Sequence, residues 1–358
     1  MATIKYALPV EQSGWKVADK SGEVHFTWDY DKSREKLLHL YDKGKRRQWD
    51  AQVRIDWDLA IDFSNPLGTP EDGVPIYGSR IWEKMNQKER EEVKYHLASW
   101  QFSQFLHGEQ GALICASKIV QNVPDIDSKY YAATQVMDEA RHVEVYSTYL
   151  KKLELAYPIN PNLRAILDDV ISDSRWDITY LGMQVLIEGL ALAAFGLIRT
   201  FSTNELATSL TAYVMQDEAR HVAFGRNALK DYYPQLTQAE RDEREELCAE
   251  AIMIMRDRFL AHEVWENLDV NTEEAVDFMT NSEGQLAFRS LLFMRIVPVL
   301  RDIGLFGKKM RETFEKIGVL GYTSIDLDEV MAEDEQFAED IDKKRIQDIE
   351  SAIAAGEA

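Results

Sequence analysis

Two glutamates and a histidine occur twice in this sequence, at the same spacing each time. In each copy the second glutamate follows the first by 30 residues and the histidine comes three residues later; the copies lie 79 residues apart. The two sets are Glu109, Glu139 and His142, and Glu188, Glu218 and His221. Carboxylate oxygens and imidazole nitrogens are ligands that suit iron and manganese. Six such ligands predict a site for two metal ions.

The first set is positioned by two expected helices. Apolar residues recur at helical spacing over about 100–120 and 130–153, and Pro124 marks a boundary between them. Glu109 and Glu139 lie about equally far from this turn. Because the residues of antiparallel helices meet in order from the turn, both carboxylates are expected at the same height.

The second set repeats this geometry. Helices are predicted over about 161–199 and 204–229, separated at residues 202–204, where Asn204 is a suitable N-cap. In both copies the Glu-x-x-His pair shares one helix face. The sequence therefore predicts an all-α four-helix bundle with the six side chains at one buried point. A single Glu-x-x-His pair is typical of a solvated helix face, but the repeat and the apolar neighbours of Glu109 and Glu188 favour metal binding.

The word Asp-Glu-Ala-Arg-His surrounds each histidine. A histidine that binds a metal usually donates its other N–H to an acceptor. Asp138 and Asp217 are predicted to be those acceptors, each for the histidine of the other copy, and Arg141 and Arg220 to hold the two aspartates. The alternative is that these four are helix-surface charges.

With this word present twice, the sequence resembles the ferritin-like superfamily of carboxylate-bridged di-iron oxidases and oxygenases. That group includes bacterial multicomponent monooxygenase hydroxylases, soluble acyl-carrier-protein desaturases, ribonucleotide reductase small subunits and arylamine N-oxygenases. The resemblance covers about residues 88–230. It implies a ferritin-like four-helix bundle with additional N- and C-terminal helices, two iron ions (or manganese), and O₂ as co-substrate.

No single subfamily is indicated. Tyr146 lies one turn after His142, and a tyrosine at this spacing resembles the radical site of ribonucleotide reductase small subunits. A core tyrosine, or one that tunes the site, is the preferred interpretation over a stable radical. Val214 stands where arylamine N-oxygenases have an extra histidine. Many multicomponent hydroxylases have threonine at the position of Leu192, and desaturases have threonine at the position of Ala191.

The resemblance implies an O₂-dependent di-iron oxidase or oxygenase, with a monooxygenase expected. Such an enzyme hydroxylates or otherwise oxidises a small, mainly apolar or aromatic organic substrate. Electrons are expected from a separate ferredoxin or reductase, and a homodimer is expected because dimers are common among relatives. The alternatives are an acyl desaturase, a radical-generating subunit like that of ribonucleotide reductase, and a ferroxidase or iron-handling protein.

The amino-acid composition limits the binding partners and the cellular compartment that we expect for the protein. The net charge of −21, from 41 basic and 62 acidic residues, argues against nucleic acid. Cys115 and Cys248 form no paired motif, which suits a reducing cytoplasm, and there is no Cys-x-x-Cys for a built-in rubredoxin-type donor. No signal peptide is recognised, and the apolar run at about 190–198 is too short to cross a membrane, so no membrane partner is expected.

Three regions are predicted along the chain: an N-terminal extension with helices and a loop (1–85), the di-iron bundle with further helices (86–322), and an acidic tail (323–358). The loop at 64–79 is expected to cover one end of the bundle. Residues 324–358 contain 12 acidic and three basic residues. This tail is expected to be a charged, partly disordered and solvated helix, with docking of a basic redox partner as the alternative.

Overall fold

The computed structural model describes residues 33–355, together with residues 5, 7–8, 24–25, 27 and 29–30. Within these ranges the regular structure is helical and no strand is formed. The start of the predicted N-terminal extension, residues 1–30, lies mostly outside the described residues. Its described part is held by backbone hydrogen bonds, since Ala7 N donates to Ala156 O at 2.5 Å and Ala156 N donates to Lys5 O at 2.6 Å.

The helices surround a central bundle and extend it on both sides in sequence, as predicted. In chain order they are α1 (Glu35–Arg46), α2 (Ala51–Arg54), α3 (Arg80–Lys84), α4 (Gln87–Asn122), α5 (Ile126–Leu153), α6 (Pro161–Ser172), α7 (Trp176–Tyr180), a π-helical segment (Leu181–Ile187), α8 (Glu188–Phe201), α9 (Glu205–Tyr232), α10 (Gln238–Arg258), α11 (His262–Asn267), α12 (Thr272–Asn281), α13 (Glu283–Leu291), α14 (Ile296–Asp302), α15 (Lys308–Lys316) and α16 (Leu327–Ala355).

Four long helical stretches make the bundle: α4, α5, the continuous helix from α7 to α8, and α9. Their starts are set by side-chain caps. Asn86 and Glu89 form a capping box at α4, Asp125 accepts a hydrogen bond from Ser128 N at α5, and Asn204 accepts one from Ala207 N at α9. The loop predicted to cover one end does so, because Leu67 O accepts hydrogen bonds from Ser202 Oγ and Thr203 N.

One predicted helix is broken. The sequence suggested a single helix over about 161–199, but α6 ends at Ser172 and the next helix begins at Trp176. Asp173 turns the chain, since its carboxylate accepts a hydrogen bond from Arg175 N at 2.8 Å. Lys118 Nζ donates to the carbonyls of Ile171 and Asp173, both at 2.6 Å, and so caps the end of α6.

The helix Trp176–Phe201 runs through the core. It is 26 residues long and contains an 18-residue window of mean hydropathy 1.9, so by length and composition alone it could cross a membrane, which the shorter apolar run at 190–198 did not indicate. However, 83% of that window is buried against the other helices, which is what a central core helix requires. Close packing here depends on Gly225 of α9, where a Cβ would lie 2.6 Å from Gln184 Cβ of the π-helical segment.

The expectation of a solvated acidic tail is wrong for α16, which packs along α9. Asp334 is 1% exposed and pairs with Arg295 at 2.7 Å and with Arg199 at 2.9 Å. Arg54 pairs with Asp342 at 2.5 Å. The acidic side chains thus face arginines from distant parts of the chain, a complementarity that the local composition of the tail does not reveal.

Candidate metal centre

The six predicted ligands converge at the middle of the bundle. Glu109 comes from α4, Glu139 and His142 from α5, and Glu218 and His221 from α9. Glu188 is the first residue of α8, directly after the π-helical segment. All six side chains are buried, and the most exposed of them retains 6% of its surface.

The six side chains form two overlapping groups. In each group, one potential ligand atom from every member lies within 4.8 Å of the others. The groups are Glu109, Glu139, His142 and Glu218, and Glu139, Glu188, Glu218 and His221. Because Glu139 and Glu218 belong to both, they lie between the two positions where ions fit. The arrangement has the form of two metal positions with two shared carboxylates.

Both imidazoles point Nδ1 at the carboxylates. His142 Nδ1 lies 3.2 Å from Glu109 Oε2 and 2.9 Å from Glu218 Oε1. His221 Nδ1 lies 3.1 Å from Glu139 Oε1 and 3.3 Å from Glu218 Oε2. Nδ1 is therefore the atom that each histidine offers to a metal.

The other ring nitrogen of each histidine faces an aspartate from the opposite copy of the repeat. His142 Nε2 donates to Asp217 Oδ2 at 3.1 Å, and His221 Nε2 donates to Asp138 Oδ2 at 3.2 Å. An ionised carboxylate only accepts hydrogen bonds, so the proton stays on Nε2. The cross-bundle pairing expected from the sequence is present, and it leaves the Nδ1 lone pair for a metal.

Two arginines join the aspartates into one network. Arg141 Nη2 donates to both Asp138 and Asp217, the latter at 2.9 Å, and Arg220 Nη2 also donates to both, reaching Asp138 Oδ2 at 3.4 Å. Burial favours the neutral acid, but the adjacent Arg220 and Arg141 guanidinium groups hold the pKa of Asp217 well below its usual range. Asp217 is therefore charged and able to accept.

Three further side chains complete this network, and the sequence did not single them out. Gln48 Nε2 donates to Asp138 Oδ1 at 2.7 Å, and Trp49 Nε1 donates to Asp217 Oδ2 at 2.8 Å. Gln135 Nε2 donates to Glu139 Oε1 at 2.9 Å and to Glu188 Oε1 at 3.0 Å. Gln135 was detectable, since it precedes Glu139 by four residues and shares its helix face.

The electrostatics of the site favour bound cations. Burial, followed by the nearby Glu218 carboxylate, raises the pKa of Glu109 and of Glu188 well above the usual value. Glu188 Oε2 is buried and accepts no hydrogen bond from any described residue. A buried acceptor without a partner is costly unless a cation or proton satisfies it. The six carboxylate and imidazole side chains, with this unpartnered oxygen among them, fit two divalent ions.

The histidines are charged when no ion competes. Burial opposes protonation, but Glu109 beside His142 and Glu139 beside His221 raise the pKa of each imidazole well above its usual value. A metal ion at Nδ1 must therefore displace a proton from each ring.

Two other residues that lie near the ligands in sequence, Tyr146 and His107, do not join the ligand set. Tyr146 is fully buried among aromatic rings, and its hydroxyl has no hydrogen-bond partner among the described residues. Burial, then Glu109, raises the pKa of this hydroxyl well above its usual value. His107 turns away from the site, with Nε2 2.9 Å from Tyr157 O.

A small cavity of about 30 Å³ lies beside the ligands, between α4, the π-helical segment and α8. Glu109, Glu188 and Glu218 form its polar wall. Most of the remaining wall is apolar and includes Phe105 and Met183. One further charged residue, Arg258 from the end of α10, also lines it.

No family model and no curated protein matches the sequence. Solved structures of R2-like ligand-binding oxidases are similar in structure. A glycine-to-phenylalanine mutant with an anaerobically reconstituted Mn/Fe cofactor shares 16% identity over 75% of this chain and 94% of its own, with a TM-score of 0.44. A long-soaked form with an aerobically reconstituted Mn/Fe cofactor shares 15% identity over 81% of this chain and 93% of its own, with a TM-score of 0.40. A glycine-to-leucine mutant with an aerobically reconstituted Fe/Fe cofactor shares 18% identity over 81% of this chain and 93% of its own, with a TM-score of 0.40.

Similarities this distant carry no functional argument, and the assignment rests on the helices and the side chains themselves. The chain has the all-α, ferritin-like helical fold, with a buried cluster of carboxylates and histidines that fits a dinuclear metal site.

Proposed function

We propose that this protein is an O₂-dependent di-metal oxidase that oxidises a small, mainly apolar organic substrate. The observation that carries the proposal is the pair of four-residue groups that share Glu139 and Glu218 in the core of the bundle. A reduced pair of iron ions held there supplies the electrons and the open coordination positions that O₂ activation requires.

Each residue has a defined task in this proposal. Glu109 and His142 would hold one ion and Glu188 and His221 the other, while Glu139 and Glu218 belong to both groups of potential ligands. Asp138 and Asp217 fix the imidazole rings through Nε2, and Arg220 and Arg141 keep Asp217 ionised. This outer network keeps the ligand geometry fixed when the charge of the ions changes.

For the metal we propose two iron ions, with one manganese and one iron as the second possibility. Hard carboxylates with two imidazoles suit either pair. Monooxygenation is the proposed reaction, because the apolar cavity beside the ligands excludes bulk water from the oxidant. Electrons come in this proposal from a separate ferredoxin or reductase.

The test uses the full-length protein and two ligand variants, Glu188→Ala and His221→Ala, with Glu144→Ala on the outer surface of α5 as the control. Metal analysis of wild type and control is expected to give two ions per chain, and both ligand variants should hold fewer. Mixing anaerobic ferrous protein with O₂ should consume O₂ at a rate well above that of free ferrous ions. Wild-type protein without a dinuclear centre, or ligand variants with full metal content, would contradict the proposal.

A further inference from the structure

Arg258 differs from the other buried arginines of the described chain. Six arginines are buried, and five of them donate to acceptors. Those five are Arg141 and Arg220 with Asp138 and Asp217, Arg244 with Asp177, Arg295 with Asp334, and Arg289 with the carbonyls of Met279 and Thr280. No described residue accepts a hydrogen bond from Arg258, whose guanidinium only lies 5.0 Å from the ring of the adjacent Phe259.

The unpartnered guanidinium lines the cavity beside the metal ligands. Arg258 is 5% exposed, and its Nε atom is buried without a hydrogen-bond partner. Burial lowers the pKa of Arg258 to about 10, with no nearby carboxylate to oppose the change, and the group remains charged at neutral pH. A buried charge without a counter-ion is strongly unfavourable. The lining of the cavity therefore combines the ligand carboxylates with one cationic side chain that pairs with none of the described residues.

We propose that Arg258 binds the carboxylate group of the substrate and thereby directs an apolar body towards the metal ions. This inference rests on the proposed function and names its substrate class, a small organic monocarboxylate. The guanidinium fork matches a carboxylate through two parallel hydrogen bonds. Among the described residues of this cavity Arg258 is the only cation, and one cation balances a singly charged carboxylate rather than a phosphate.

The size of the cavity limits the substrate. At about 30 Å³ it has room for about one water molecule, so a ligand fits only when side chains move. Met183 of the π-helical segment has the flexible side chain for such a movement. At Gly108 a Cβ would meet nothing within 4 Å, so the helix leaves open space on that side. These dimensions favour a short aliphatic or single-ring carboxylate over a larger one, and even such a small ligand enters only after the side chains move.

The first test is a calorimetric titration of the full-length, metal-loaded protein in the absence of O₂. The probes are benzoate and hexanoate, with benzamide and hexanamide as uncharged counterparts. The variants are Arg258→Met and Arg258→Lys, with Arg256→Met as the control. Arg256 lies on the same helix as Arg258, but it already pairs with Asp257 at 2.7 Å.

Wild type and the control are expected to bind at least one of the carboxylates in preference to its amide. Arg258→Met should weaken that binding at least about 30-fold, and Arg258→Lys should retain part of it. A carboxylate that bound only to the metal ions would bind equally well to Arg258→Met. Equal binding by that variant, or no preference of wild type for acid over amide, would overturn the inference.

A second readout separates binding from structural support. Without ligand, Arg258→Met removes an unpaired buried charge and is expected to raise Tm above that of wild type. If the guanidinium instead held the fold together, the same change would lower Tm and overturn the inference.

The result also separates this inference from the function it rests on. Arg258→Met should keep full metal content and the O₂ consumption seen without substrate. Full metal content together with unaltered carboxylate binding in this variant overturns the inference alone. Wild-type protein that binds no pair of ions overturns the proposed function, whatever the carboxylate titration gives.

Discussion

His142 Nε2 donates a hydrogen bond to Asp217 across 3.1 Å, although the two residues belong to different copies of the repeat. The same relationship joins His221 to Asp138 at 3.2 Å. Each imidazole is therefore oriented by a helix other than its own, so its direction depends on the assembled bundle.

Asp217→Asn is expected to weaken metal binding by about 10- to 100-fold, because an amide is a poorer acceptor than a carboxylate and allows the wrong histidine tautomer. Competition with a chelator of known affinity measures the change. Asp231→Asn, on the same helix with a side chain that is 70% exposed, is the control and should bind metal as wild type does. Equal affinities for the two variants would show that the histidine does not need its aspartate.

Metal binding is expected to tighten as pH rises. In the metal-free protein the glutamates raise the pKa of His142 and His221 above the usual histidine value, so at neutral and lower pH an incoming ion must displace their protons. Lowering the pH strengthens that competition and protonates Glu109 and Glu188, whose pKa values are also raised. Titration in buffers of different ionisation enthalpy measures the protons released; binding without proton release would contradict the assignment.

Tyr146→Phe is expected to leave stability unchanged or to increase it by up to about 1 kcal/mol, because the hydroxyl has no partner among the described residues. Tyr157→Phe is the matched control: its hydroxyl lies 2.7 Å from His96 Nδ1 and accepts from Asn267, and its loss should cost about 1 kcal/mol. Urea unfolding measures both. Paramagnetic resonance of the O₂-exposed wild type tests the radical alternative, which requires a tyrosyl signal that Tyr146→Phe abolishes.

Asp334→Ala is expected to destabilise the protein by about 3–5 kcal/mol, because it leaves Arg295 buried without its counter-ion. Asp340→Ala on the exposed side of α16 should change stability by less than about 1 kcal/mol, as surface ion pairs contribute little. Chemical denaturation compares the two variants. A small effect at Asp334 would mean that α16 is not firmly docked on the bundle.

The ligand set and the bundle were predictable because helical geometry makes spacing informative. Residues at equal distances from a turn meet at one height, and residues three apart share a face, so Glu109, Glu139 and His142 could be placed together without coordinates. Gln48 and Trp49 could not, because they reach Asp138 and Asp217 from a loop about 90 and 168 residues away in the sequence. No local pattern encodes that contact.

Two other features escaped prediction for different reasons. The docking of α16 depends on the match between its acids and distant arginines, and composition counts charges without locating their partners. Arg258 looked like an ordinary basic residue in the last turn of a helix. Only the absence of an acceptor around it, a property of the folded chain, distinguishes it from its neighbour Arg256.

The network of Arg141 and Arg220, each in contact with both Asp138 and Asp217, makes the two copies of the repeat depend on each other. Neither copy is self-sufficient, since a lone helical hairpin lacks the acceptor for its own histidine. A chain with one copy would have to associate with a second copy of itself to offer the same six ligands. Here a single polypeptide supplies both sets, so the centre does not depend on the concentration of a partner.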